Sequence, residues 1–112
     1  MPEKPIPEIC ADAARRPSHR IEIRLPPEIS TTQERELAAL VRYCVLKTER
    51  ALGVRGQWTV TLGTRDAGEL ESTVAFDDGN VVDSVAFGRD AALATWDAMC
   101  GVERTLRDRY LS

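Results

Sequence analysis

Proline is missing after residue 27 of this 112-residue chain, and glycine is missing before residue 53. The first absence leaves most of the chain free to form uninterrupted helices and strands. The second leaves the N-terminal half without the phosphate-cradling glycine loops that follow a strand, and no later glycine completes a P-loop or dinucleotide fingerprint. Histidine is nearly missing too: His19 stands alone, with no serine or cysteine spaced as a nucleophile beside it. The three cysteines, Cys10, Cys44 and Cys100, are odd in number and lack CxxC or Cys/His spacing, which speaks against a disulfide framework and a zinc site. They read as incidental thiols, with a helix-to-helix Cys44–Cys100 contact as the alternative. Asp77, Asp78 and Asp83 lack the spacing and closing glutamate of a calcium loop and read as a solvated turn. No catalytic residue, cofactor, metal or small-molecule substrate is therefore expected. No apolar run approaches the roughly 18 residues of a membrane span. The opening "MPEKPIPEICADAARRPS" has no signal-peptide core, so a cytoplasmic protein without a membrane partner is expected.

What remains is the composition of an ordinary globular domain, 43% hydrophobic and 29% charged, with a formal net charge of −3. The length fits one domain. Pro2, Pro5, Pro7 and Pro17 mark residues 1–18 as a flexible, proline-containing arm, leaving residues 19–112 as a single α+β domain. The acidity is local: Asp66, Glu69, Glu71, Asp77, Asp78 and Asp83 face only Arg65 between residues 64 and 83.

"RIEIRL" alternates, with Ile21, Ile23 and Leu25 on one side and Arg20, Glu22 and Arg24 on the other, until Pro26-Pro27 ends the strand. Thr31 and Glu34 fit a capping box. Leu37, Leu40/Val41, Cys44/Val45, Thr48 and Ala51/Leu52 then recur with helical spacing up to Gly53. "QWTVTL" turns Trp58, Val60 and Leu62 inward, and "ELESTVAF" does the same with Leu70, Val74 and Phe76. "DDGN" makes a hairpin turn into "VVDSVAF". Asp90 is the N-cap of a second helix, about residues 90–110, whose inner face is predicted to carry Ala92, Trp96, Met99, Val102, Leu106 and Tyr110. Both tryptophans read as core. Gly101 inside this helix costs about 1 kcal/mol relative to alanine. The order β-α-β-β-β-α predicts a two-layer α+β sandwich, a four-stranded sheet with two helices on one face.

At 100° per residue, the face of the first helix opposite its apolar stripe carries Arg35, Ala39, Arg42, Tyr43, Leu46 and Arg50, with no acid among them. Guanidinium groups beside packing side chains suit a partner surface: phosphates for Arg35, Arg42 and Arg50, and apolar contact for Ala39, Tyr43 and Leu46. The outer line of the second helix is mixed, with Asp90, Asp97, Gly101, Arg104 and Asp108 at its centre and Arg107 and Arg109 at its edges.

The element order, together with Asp90, Ala94, "VER" at 102–104, Leu106 and Arg107, resembles the ribosome hibernation-promoting factor family, which includes the ribosome-associated inhibitor proteins. The long capped helix and the "WTVTL" strand after its glycine look alike as well. The resemblance covers about residues 19–110 and departs from the family pattern at Trp96 and Gly101. It implies a stress-response regulator of translation that occupies the messenger and transfer-RNA channel of the small ribosomal subunit. By resemblance, Arg104 and Arg107 would face ribosomal RNA. The second expectation is a protein-interaction or self-association module, possible as a homodimer, built on Ala39, Tyr43 and Leu46 or on an exposed sheet edge. A double-stranded-RNA-binding domain shares part of the element order, but "GRDAA" lacks its lysine-rich clamp.

Overall fold

The computed structural model describes residues 20–111; the expected arm over 1–18, with Cys10, and His19 lie outside the described residues. Six main elements follow one another: β1 (Ile21–Arg24), α1 (Thr31–Leu52), β2 (Gln57–Thr64), β3 (Leu70–Asp77), β4 (Val81–Gly88) and α2 (Ala91–Leu111). The sheet order is β1-β2-β3-β4, with β1 parallel to β2 and the other pairs antiparallel. A β-α-β crossover is required for that parallel pair, and α1 supplies it. This is the expected two-layer sandwich.

Period-two alternation gives the sheet one apolar face. Trp58 pairs with Ile21 and Phe76, Val60 with Ile23 and Val74, and Phe76 with Val82. Leu37, Val41, Cys44 and Val45 of α1 and Ala91, Ala98, Met99, Val102 and Leu106 of α2 close over it. Trp58 and Phe76 pack within the core with ring centroids 4.6 Å apart and planes tilted by 50°. One polar pair is sealed inside, Ser72 Oγ to Thr95 Oγ1 at 2.9 Å, and each hydroxyl satisfies the other.

The ends of α1 show how local chemistry sets its limits. Ser30, with extended backbone, is the N-cap, not Thr31. Its Oγ accepts from Gln33 N at 3.1 Å, and Gln33 Oε1 accepts from Ser30 N at 3.0 Å. Thr31 is already inside the helix, so the capping box sits one residue earlier than the Thr31–Glu34 reading placed it. At the other end Gly53, at φ 66°, gives its N–H to Glu49 O at 2.8 Å. Asp90 caps α2 as expected, its Oδ1 accepting from Leu93 N at 3.0 Å.

The second helix differs from the sequence reading in its phase. Its buried stripe is Ala91, Ala94/Thr95, Ala98/Met99, Val102 and Leu106. Trp96 is 37% exposed and Tyr110 is 42% exposed, so neither is core. Small side chains make the difference: Ala94 and Ala98 let the helix settle low on the sheet, which rotates the larger Trp96 to its flank. Gly101 belongs to the same contact. A Cβ there would lie 2.1 Å from Ser84 Oγ and 2.9 Å from Ser84 Cβ of β4, so this glycine permits close approach of helix and strand.

Candidate nucleic-acid interface

The outer face of α1 is built as the helical spacing required. Arg35, Ala39, Arg42, Tyr43, Leu46 and Arg50 are all exposed, Tyr43 by 58% and Leu46 by 40%. None of the three arginines forms an ion pair among the described residues. Tyr43, Leu46, Lys47, Arg50 and Ala51 line an open hollow of about 520 Å³ on this face. Lys47 extends it toward α2, with Nζ 5.7 Å from the Trp96 ring centroid, a cation–π distance. From the sequence, Trp96 reads as core and Lys47 is not singled out. Their signal was Lys47 at the flank of the basic stripe, obscured because Trp96 was assigned to the core.

Glu49 explains why this face keeps its charge. The residue lies on the same helix, yet its carboxylate turns to the core side and meets Arg20. Arg20 NH1 donates to Glu49 Oε2 at 2.7 Å and to Gly56 O at 2.9 Å, and NH2 donates to Oε1 at 3.2 Å. Trp58 Nε1 donates to the same Oε2 at 3.0 Å. The pair is largely buried, with side chains 19% and 10% exposed. Arg20 was expected to face solvent with Glu22 and Arg24; it precedes β1 and is drawn inward by this partner. Its Nε is buried and has no partner among the described residues. Of the two acids that flank the stripe, Glu49 is thus neutralised from inside and Glu36 stays exposed, while Arg42 and Arg50 face solvent.

The arginines of α2 divide. Arg104 is exposed and has no ion pair among the described residues, but it lies on the flank of α2 away from α1. Arg107 is held by Glu103 one turn back, with NH2 to Oε2 at 2.9 Å and Nε to Oε2 at 3.0 Å. The structure therefore brings Arg35, Arg42 and Arg50 together and leaves Arg104 apart from them. The α1–α2 seam also places Cys44 and Cys100 along one small hollow with Lys47, Trp96 and Glu103. Burial first, and the neighbouring Cys100 second, push the Cys44 thiol up to about 11, which makes it inert.

The acids of the β3–β4 hairpin are occupied by the turn. Asp77 Oδ1 accepts from Gly79 N at 2.9 Å and Asp78 Oδ1 from Asn80 N at 3.2 Å, while Tyr110 donates its hydroxyl to Asp78 Oδ2. Among the described residues no group of three or more histidines, cysteines or acids is placed to hold a metal ion, and no helix is long and apolar enough to cross a membrane.

No family model and no curated protein matches the chain. Solved structures do. The N-terminal domain of Protein Y from Thermus thermophilus is similar with a TM-score of 0.64 and 14% identity, over 79% of this chain and 94% of that one. A ribosomal subunit interface protein from Coxiella burnetii is similar with a TM-score of 0.57 and 11% identity, over 82% of this chain and 98% of that one. At such identities the likeness is one of fold: the chain has the architecture of these two proteins, the one implied by its resemblance to hibernation factors.

Proposed function

We propose that this protein is a non-enzymatic, cytoplasmic, ribosome-associated factor that docks on small-subunit ribosomal RNA through the outer face of α1. It would restrain translation by steric occlusion. The observation that carries the reading is the set Arg35, Arg42 and Arg50, exposed on one helix face and unpaired among the described residues, while Glu49 of the same helix is consumed by Arg20. Guanidinium groups so placed meet phosphates with fork geometry, and Tyr43 and Leu46 supply packing between them. The fold shared with a ribosomal subunit interface protein supplies the choice of ribosome over other RNA. Arg104 and Arg107 are secondary candidates, since one lies off this face and the other is held by Glu103.

The test is co-sedimentation with small subunits across a salt series. Phosphate binding predicts a steep fall in log K with log salt, and each of Arg35→Ala, Arg42→Ala and Arg50→Ala should lower the slope by about 1. Protein that stays in ribosome-free fractions at low salt refutes the reading. The apolar hollow beneath Tyr43 and Leu46 favours a second reading, a protein partner on the same face. In that case Leu46→Asp abolishes binding while Arg42→Glu leaves it largely intact and the salt slope is shallow.

A further inference from the structure

The two edges of the sheet are protected unequally. β1 is only 4 residues long, is followed by Pro26-Pro27, and carries the Glu22–Arg24 ion pair at 2.8 Å on its outer face. Short length, proline and charge are the usual ways an edge strand avoids pairing with another chain. β4 is neither short nor interrupted by proline, and charge reaches it only at Asp83 and through Arg65 of the β2–β3 turn, whose guanidinium lies 4.9 Å over the Phe87 ring. The strand runs 8 residues without proline or lysine, and its register against β3 is unbroken from Val81 to Gly88. On the face away from the helices it exposes Val81 by 63%, Val85 by 47% and Phe87 by 50%. Among the described residues no strand pairs with its outer edge, so that edge offers a row of backbone donors and acceptors, and the chemistry that satisfies such a row is another strand.

We propose that β4 pairs antiparallel with β4 of a second copy of this chain, about a two-fold axis at Ser84, to form a continuous eight-stranded sheet. A dyad perpendicular to the sheet keeps both helical layers on one side and requires like faces to meet. Of the registers that satisfy this, the one centred on Asp83 sets two carboxylates face to face, which is unfavourable. Centring on Ser84 sets Val81 opposite the partner's Phe87 and Asp83 opposite the partner's Val85, so apolar side chains meet and the acids are separated.

An independent observation lies in the helical layer. Trp96, Met99, Cys100 and Glu103 line the seam with α1. At 100° per residue, Asp97, Asp108 and Gly101 occupy the opposite flank, over β4, where a Cβ on Gly101 would meet Ser84, and Arg104 stands at the solvent edge of that flank. The axis at Ser84 therefore passes beside Gly101, and the two α2 helices run antiparallel across it. Asp97 and Arg104 stand on either side of Gly101 at nearly equal distance along the helix. Each Arg104 consequently faces the partner's Asp97. Neither has an ion pair within its own chain among the described residues, and the two copies supply opposite charges to each other.

Sedimentation equilibrium of the isolated protein, from about 1 μM to about 1 mM, tests this without reference to RNA. A concentration-dependent dimer is expected. Val85→Glu places two like-charge pairs against Asp83 and should weaken the dimer about 2- to 30-fold; Val85→Lys creates two opposite-charge pairs and should tighten it over the same range. Arg104→Asp should weaken it, and adding Asp97→Arg should restore it. Val85 is exposed, so far-UV circular dichroism of these variants should be unchanged. A monomer throughout the range overturns the proposal. So does a dimer whose affinity moves the same way with Val85→Glu and Val85→Lys, or one that Leu46→Asp dissolves while both Val85 variants leave it intact.

Discussion

Replacing Gly101 by alanine sets two effects of comparable size against each other. Helix propensity alone predicts a gain of about 1 kcal/mol from removing a glycine inside a helix. The packing of α2 on β4 predicts the reverse. The added methyl would sit 2.1 Å from Ser84 Oγ, a clash that rotation of the hydroxyl can relieve, and 2.9 Å from Ser84 Cβ, which it cannot. Carbon atoms pack at about 3.5–4.0 Å, so the helix must rise by more than half an ångström along a line where Ala94, Ala98 and Val102 are buried. Overpacking of this kind costs about 1–3 kcal/mol. The net expectation is a loss of roughly 0–2 kcal/mol, seen as a fall in urea midpoint without a change in slope. A double-mutant cycle makes the cause explicit. Ser84→Gly removes both offending atoms, so Gly101→Ala should become stabilising in that background, with a coupling energy of at least about 0.5 kcal/mol. Stabilisation of the single variant by the full propensity value, with no coupling to Ser84, refutes the close-approach account.

Glu49→Ala leaves Arg20 with only Gly56 O and no counter-charge, and the Trp58 indole N–H without its acceptor, and should cost about 2–4 kcal/mol by urea unfolding, while Glu49→Gln, which keeps an acceptor, should cost about half as much. The Tyr110–Asp78 hydrogen bond holds Asp78 below the usual carboxylate range and raises Tyr110 above the usual phenol. Its contribution is then present at neutral pH, is lost as pH falls through the lowered Asp78 value, and is lost again as pH rises through the raised Tyr110 value; Tyr110→Phe should return Asp78 upward in an NMR titration. With its thiol at about 11 and buried, Cys44 should label with a thiol reagent only on unfolding, whereas the partly exposed Cys100 labels in the native state, as peptide mapping would show.

Features governed by near neighbours were legible in the sequence. Alternation placed three strands, the DDGN turn placed the fourth, Gly53 ended α1, and Asp90 capped α2, because each depends on residues within one or two turns. The outward face of α1 followed from helical spacing alone. What escaped depends on contacts across the fold. Glu49 and Arg20 are 29 positions apart, so nothing local showed that an acid on the flank of the basic stripe would be removed from it. Helical spacing put Trp96 on a stripe with Ala92, Met99 and Tyr110, whereas the true phase is set by Ala94, Ala98 and Gly101, the small residues that lie against the sheet. The pairing that occupies Arg107 was legible and overlooked: Glu103 stands four positions before it, the spacing at which helical ion pairs form.

A net charge of −3 is a poor guide to what this surface can bind, because the two signs are segregated. The acids of residues 66–83 belong to the β2–β3 turn and the β3–β4 hairpin, with Glu71, Asp77 and Asp83 at positions that alternate away from the helical layer. Arg35, Arg42 and Arg50 lie on the other side, and the sheet stands between them. An RNA approaching α1 meets the guanidinium groups, with exposed Glu34 and Glu36 at the N-terminal margin of the same helix, and the acids of residues 66–83 at a distance comparable with the Debye length, about 8 Å at physiological salt. Pairing through β4 would sharpen this segregation. A dyad perpendicular to the sheet keeps both helical layers on one side, so the two α1 faces point the same way. Each α1 lies over the β1–β2 half through Glu49, Arg20 and Trp58. That puts the two helices about six strand spacings, or roughly 30 Å, apart. A dimer would therefore engage two phosphate tracks on one RNA surface at once, and its salt slope should approach twice that of the monomeric Val85→Glu variant. Equal slopes for the two would show that only one α1 face reaches RNA at a time.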